Sequence, residues 1–366
     1  MRSRFISIVA VCLILGCTSE PDIKYDKVLT LNLREVATDA PEYVESISYL
    51  PLETGDTCFF RNADKILFEN GLIYIADYRS GQVLVYETDG SMHSVLDRKG
   101  RGPGEYLDMM SFTVDSDYIY VLDNFNRKIF RYGSMDCRFD SVENLDFVAW
   151  DMEAIGDGNF IFAFSPLGGG RLTSPQAPYR ILITDSDFRV KETLLDYGDN
   201  EYDIIGQRRY FSVEEDKLIY SSIYFDGYIV FDRSDYNSRQ VIGIEFDNPI
   251  PASARKDPSV LDKNYNYQTM TPIACGDYIM LEVAEGDNIG NYIYNCDTEK
   301  FSRNPDMLCR NYIYYPIANY KGCYVGVIES KTVYDEFITA GFDKGDSCVE
   351  KSLEKGNPVL LFYKMK

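Results

Sequence analysis

Leu72-Ile-Tyr-Ile-Ala-Asp77 and Tyr118-Ile-Tyr-Val-Leu-Asp123 read almost as copies, 46 residues apart. Each is followed, about five residues on, by a second apolar-alternating run, Gln82-Val-Leu-Val-Tyr86 and Lys128-Ile-Phe-Arg-Tyr132. Alternating β-branched and aromatic residues bounded by Gly, Asp and Asn are strand and turn signals. Units of about 40 to 50 residues made only of short strands mark the blades of a β-propeller. The chain is therefore read as all-β.

Working outward from these copies, five blades of four strands can be set out in order. The first uses Ala63–Glu69, Leu72–Asp77, Gln82–Tyr86 and His93–Asp97, and the second Met110–Val114, Tyr118–Asp123, Lys128–Tyr132 and Arg138–Val142. The third runs from Phe147 to Tyr197 around Asn159–Phe164 and Tyr179–Thr184. The fourth spans Tyr210 to Phe246 around Lys217–Tyr224 and Gly227–Phe231, and the fifth Tyr265 to Leu308 around Tyr278–Val283 and Asn291–Asn295. A sixth blade finds only three strands at the C-terminal end: Asn311–Ile317, Cys323–Ile328 and Pro358–Tyr363. A spare strand, Val44–Leu52, precedes the first blade. An unpaired sheet edge invites aggregation. Pairing the N-terminal strand with the C-terminal one removes it, which predicts a six-bladed β-propeller closed by both ends of the chain. Roughly 320 residues from Val44 onward give about 53 per blade. A seven-bladed ring, with two blades merged in the long central spacings, is the alternative.

The first 16 residues stand apart from this pattern. Arg2 and Arg4 precede an apolar run from Phe5 to Leu15, too short for a bilayer span of about 20 residues, so the segment reads as a secretion signal. It ends in Leu13-Ile-Leu-Gly-Cys17, which resembles a bacterial lipobox and implies acylation of Cys17. The expectation is a signal peptide over 1–16, a lipid-anchored tether over 17–43 and a propeller over 44–366. The chain would be exported and held at a bacterial membrane, the outer one by expectation, through its lipid alone. From Cys17 on, 35 basic residues face 58 acidic ones, a net charge of −23. A field of that sign repels phosphate backbones, so nucleic acid is not an expected partner.

Tyr120-Val-Leu-Asp-Asn-Phe-Asn-Arg-Lys-Ile-Phe-Arg-Tyr132 looks like an NHL repeat. Together with the lipobox, Ser48-Tyr-Leu-Pro-Leu-Glu53, Gly100-Arg-Gly-Pro-Gly-Glu-Tyr106 and the terminal Asn357-Pro-Val-Leu-Leu-Phe-Tyr-Lys364, it resembles the six-bladed propeller lipoproteins of NHL-like type. That resemblance implies an exported, membrane-anchored protein with no agreed activity.

Loops on a rigid scaffold carry function. In a four-stranded blade, the loop between the second and third strands emerges on the same face as the crossing to the next blade. The segments expected there are Tyr78–Gly81, Arg98–Tyr106, Asn124–Arg127, the loop 165–178 and the insertion Glu329–Asn357, whose Lys331–Ala340 predicts a short helix. These loops bring cations to an acidic chain. Arg79, Arg101, Arg127 and Arg171, with Glu105 and Tyr106, form the candidate ligand site, since Arg presents a planar fork of donors to carboxylates. A purely structural role for the glycine-rich crossing, with its glycines turning the chain and Glu105 pairing locally, stands beside it. No Gly-Lys-Ser/Thr follows, so this is not a phosphate loop.

Catalytic motifs are absent from the pattern. His93 is the one histidine and falls in an outer strand, which leaves no Ser-His-Asp triad on the rim. Asp77, Asp123 and the pairs Asp115/Asp117 and Asp185/Asp187 read as turn caps. They fall short of the six to eight oxygens calcium takes, so neither metal nor cofactor is expected. Once Cys12 and Cys17 are set aside, seven cysteines remain, and the four between 275 and 323 allow one or two bridges. Thirty Tyr and 21 Phe are assigned mainly to the packing between blades, with Tyr78, Tyr106, Phe125 and Tyr179 at the rim. The leading expectation is a non-enzymatic platform for an unidentified protein, peptide or glycan. A carboxylate- or metal-dependent hydrolase or lyase, and a scaffold in an envelope complex, are the alternatives.

Overall fold

The computed structural model describes residues 23–36, 43–55, 59–164, 179–196, 207, 209–223, 225–251, 254–255, 259, 264–305, 309 and 312–366. Cys17, Cys58, Arg171 and the loop 165–178 lie outside them. The described residues are 51% strand and 7% helix, arranged as six sheets in a propeller ring. Blade one holds Lys65–Glu69, Leu72–Asp77, Gln82–Glu87 and Met92–Asp97, running outward from the axis. Blade two holds Ser111–Val114, Tyr118–Asp123, Lys128–Gly133 and Phe139–Asn144, and blade three Ala149–Ile155, Asn159–Phe164, Tyr179–Thr184 and Val190–Asp196.

The ring closes as expected from the two chain ends. Val44–Pro51 pairs antiparallel with Val359–Met365, setting Ile47 opposite Tyr363, Tyr49 opposite Leu361 and Leu50 opposite Leu360. With Cys323–Ile328 and the inner strand Ala318–Tyr320 these make blade six. That inner strand corrects the sequence reading, which put it at Asn311–Ile317. The run has a strand's alternation, but its backbone groups find other partners. Asn304 accepts from Ile313 N and donates to Ile313 O, and Tyr314 N donates to the Tyr363 hydroxyl.

A second correction concerns the expected tether. Lys27–Leu31 is a strand that runs parallel to Arg239–Phe246, the outer strand of blade four, with Leu29 opposite Ile244. Blade four (Phe211–Glu214, Lys217–Tyr220, Gly227–Asp232, Arg239–Phe246) therefore has five strands, and the folded part begins ahead of Val44. In blade five, Tyr278–Glu285, Asn288–Asn295 and Lys300–Arg303 follow an inner strand split into Asn266–Gln268 and Ile273–Cys275. Pro272 sits in the break, where it cannot donate to a ladder.

The core is divided rather than central. Among the described residues, six apolar clusters fill the six clefts between neighbouring blades, and a small seventh gathers Ile223, Ile250, Tyr267 and Ala284. The second strand of blade one shows why: Leu72, Tyr74 and Ala76 pack toward blade two, while Ile73 and Ile75 pack toward blade six. Side chains alternate across a strand, so a strand between two clefts is apolar on both faces. The aromatics follow suit, with Tyr74, Tyr86, Tyr132, Tyr220, Tyr292, Tyr324 and Tyr363 fully buried. The six described cysteines are free thiols, and none forms the bridges allowed for 275–323.

The insertion in blade six forms two helices, α1 (Lys331–Thr339) and α2 (Ser347–Glu354). Ser330 caps the first and Asp346 the second through their side-chain oxygens. Tyr334, Phe337, Val349 and Leu353 bury themselves in the cluster between blades five and six. No helix among the described residues is long and apolar enough to cross a membrane.

Candidate functional site

Inner-strand side chains that face the axis have no neighbouring sheet to pack on, and here several are charged. Asp151 and Glu153, two apart in the inner strand of blade three, share one face of it. Lys65, from blade one, lies 3.2 Å from Asp151 Oδ1 and 2.6 Å from Glu153 Oε1, with all three side chains at most 5% exposed. Blade two contributes Ser111, whose hydroxyl donates to Asp151 Oδ1 at 2.5 Å, and Thr113, which donates to Glu153 Oε2 at 2.8 Å. Blade four contributes the N–H groups of Tyr210 and Phe211, which donate to Asp151 Oδ2. One polar network thus ties four blades together around the axis.

Buried charges cost several kcal/mol each unless paired, and this pairing sets their protonation. Burial alone would lower the Lys65 ammonium, but the carboxylates of Asp151 and Glu153 hold it above its ordinary value. Burial raises the Glu153 carboxyl, against the pull of Lys65 and Thr113. The Tyr78 phenol, reaching in from the turn of blade one, is raised by the same burial.

Beside this network the channel widens into a cavity of about 390 Å³. Its wall comes from the inner strands of blades one, four and six, with Leu67, Phe68, Val213 and Tyr320 among them, and from Val114 and Glu153. It opens among the turns that join first to second and third to fourth strands, where Glu69, Glu215, Arg233 and Lys321 form the rim. This is the face opposite to the one expected from the loops. A smaller hollow of about 220 Å³, with Asp64, Thr271, Glu282 and Tyr315, lies at the other end. Arg209 and Ile317 border both spaces. The Arg209 guanidinium donates to Ile317 O at 2.8 Å, while its Nε is shielded from solvent and has no partner among the described residues. Burial pulls this guanidinium below its ordinary value, against the carboxylates of Asp151 and Glu282.

The residues nominated from the sequence fall elsewhere, and none of those described lines either space. Arg79, Arg101 and Arg127 are exposed and make no ion pair among the described residues. Glu105 and Tyr106 are taken up by the fold. Glu105 accepts from Gly102 N at 2.7 Å within its own loop. Tyr106 is fully buried, packs edge-on against Phe130 and Tyr132, and donates to Gly81 O at 2.8 Å. The glycine-rich crossing is a plug between blades one and two. Asp77 and Asp123 act as turn caps in matching ways: each accepts from a backbone N–H 16 residues back, Arg61 and Leu107 respectively. Each also caps its own turn, through Arg79 N and Asn126 N. His93 is spent on Glu87 and Met135 O in the outer strand. Sequence reasoning missed Lys65, Asp151, Glu153 and Arg209. For Asp151 and Glu153 the available signal was charge at alternate positions inside an otherwise apolar inner strand.

The family DUF4934, a domain of unknown function, matches residues 29–364. Among solved structures, the chain is similar to a Bacteroides fragilis protein described as exported. The TM-score is 0.76 and the identity 20%, over 93% of this chain and 100% of that one. A member of the DUF4221 family from Bacteroides vulgatus is similar at a TM-score of 0.50 and 13% identity, over 88% of this chain and 97% of that one. These likenesses support the fold. No curated protein matches the chain.

Proposed function

We propose, for a chain that belongs to the DUF4934 family of domains of unknown function, a binding rather than a catalytic role. In this reading it is an exported, lipid-anchored propeller that takes a small ligand, or the end of a peptide or glycan, in its central channel. The observation that carries it is the cavity of about 390 Å³ whose floor gathers charged side chains from separate blades. Preformed ligand sites span roughly 300 to 1,000 Å³, with a few placed polar groups in an apolar wall. Asp151 and Glu153 are both engaged by Lys65, which favours a structural over an acid–base use of that pair.

Export is supported by the apolar leader and by the likeness to a protein described as exported. Anchoring rests on the lipobox-like Leu13–Cys17, and the NHL-like character on the matched caps of Asp77 and Asp123. Glycan- and peptide-array binding by the soluble chain from Ser19 tests the site. Filling the channel with Val213→Trp should abolish binding, and changing Arg79, Arg101 and Arg127 together to Ala should leave it. The reverse pattern would move the site to the arginine face. Labelling with a palmitate analogue, lost in Cys17→Ala, tests the anchor.

A further inference from the structure

We infer that Arg209 anchors the anionic group of a small monocarboxylate, with the body of that ligand among Leu67, Phe68, Val213 and Tyr320. This deepens the channel reading and rests on it. The cations of the cavity differ in how they are employed, and Lys321, on the rim, lies 4.8 Å over the Tyr320 ring. Lys65 is held by two carboxylates. Arg233 donates to Glu215 O at 3.1 Å and has Glu69 Oε2 at 3.9 Å. Arg209 has only a neutral partner, the carbonyl of Ile317, and no carboxylate within ion-pair distance among the described residues.

The nearby acids are committed elsewhere. Asp151 is held by Lys65, Ser111 and the N–H groups of blade four, and Glu282 accepts from the Thr269 hydroxyl at 2.6 Å. The Arg209 Nε is shielded from water with no partner among the described residues, and such a group is costly to leave unpaired. A carboxylate matches its planar fork with two parallel hydrogen bonds. The rim sets Glu69 and Glu215 against Arg233 and Lys321, so Arg209 is left to pair with one negative charge, which selects a monoanion. Phe68 and Tyr320, stacked at 4.2 Å, supply a flat apolar wall for an aryl or sugar ring. The volume suits one ring bearing one acid.

The test is calorimetry on the soluble chain from Ser19 with matched probes: phenylacetate against phenylacetamide, and glucuronate against glucose. At least one acid should bind about tenfold more tightly than its neutral match or better. Arg209→Gln should erase that preference, and Arg209→Lys, which keeps the charge but not the fork, should lose most of it. An acid preference that survives in Arg209→Gln, equal binding of acid and neutral match, or no acid binding at millimolar concentration would each overturn the inference. Should the Gln variant fail to fold, the native contrast and the Lys variant decide it. Neutral probes that bind natively and are lost in Val213→Trp would leave the channel reading standing without Arg209's role. Acid binding that persists in Val213→Trp would overturn both.

Discussion

Lys65→Met isolates the balance on which the axis depends. The ammonium lies 2.6 Å and 3.2 Å from its two carboxylates. At an effective dielectric constant of about 20, those separations correspond to raw attractions of about 6 and about 5 kcal/mol. The native trio gains little of that, because burying each ion costs several kcal/mol. Removing only the cation keeps the burial cost of both acids and discards the attraction, a loss of about 3–5 kcal/mol. The two acids are not equivalent. Asp151 retains donors from Ser111, Met152, Tyr210 and Phe211, whereas Glu153 retains Thr113. Adding Glu153→Gln to Lys65→Met should therefore recover more than half of the loss.

The sign of the pH effect follows from Glu153. Its carboxyl is raised above its ordinary value of 4.5 in the fold, and loss of Lys65 raises it further. A group shifted in that direction contributes stability that is complete below the unfolded value and lost as pH climbs through the folded one. The deficit of Lys65→Met should accordingly shrink between about pH 8 and about pH 5. Urea unfolding at both pH values measures it. A deficit below about 1 kcal/mol, or one independent of pH and of the second substitution, would refute the reasoning.

Gly104 and Gly71 form a matched pair of tests. Both have positive φ, +70° and +75°, but a Cβ at Gly104 would sit 2.6 Å from the Phe139 ring, and one at Gly71 meets open space. Gly71→Ala should cost about 1 kcal/mol, and Gly104→Ala about 1–3 kcal/mol more, by thermal unfolding. Tyr106→Phe should cost about 1 kcal/mol by stranding Gly81 O, and Tyr106→Ala about 3–5 kcal/mol by opening the cleft between blades one and two. Leu361→Pro, in the third strand of blade six, breaks the closing ladder and should cost about 3 kcal/mol or more, read as loss of cooperative unfolding. Burial opposes ionisation of Asp77, yet the N–H groups of Arg61, Ser80 and Arg79 hold its carboxyl below its ordinary 3.8. A depressed carboxyl stabilises above the unfolded value, and its contribution fades as pH falls through the folded one. Asp77→Asn should thus cost more at about pH 7 than at about pH 3, in parallel denaturation curves.

Much of the ring was legible because blades are local. Asn159–Phe164, Tyr179–Thr184 and Cys323–Ile328 occupy the residues that alternation assigned to them. The zipping of Val44–Pro51 onto Val359–Met365 follows from counting one strand short at one end and one spare at the other. Asp77 and Asp123 announced their turns, since an Asp closing a strand bonds the backbone that follows. The split roles of the glycine-rich crossing were also open to view, and its Tyr106 is buried in the cleft between blades one and two.

Three things came only from the tertiary structure. Lys27–Leu31 reads as part of a polar tether, but pairs with a strand more than 200 residues away, and no local pattern encodes such a partner. Asn311–Ile317 alternates like a strand, but Asn304 and Tyr363 claim its backbone. Above all, the charged floor of the channel joins Lys65 to Asp151 across 86 residues, and Arg209 to Ile317 across 108. A sequence records periodicity over a few residues, and that suffices to specify strands and the ring they close. Which charges meet at the axis depends on how six sheets are set about it, and only the closed ring brings them within reach of one another.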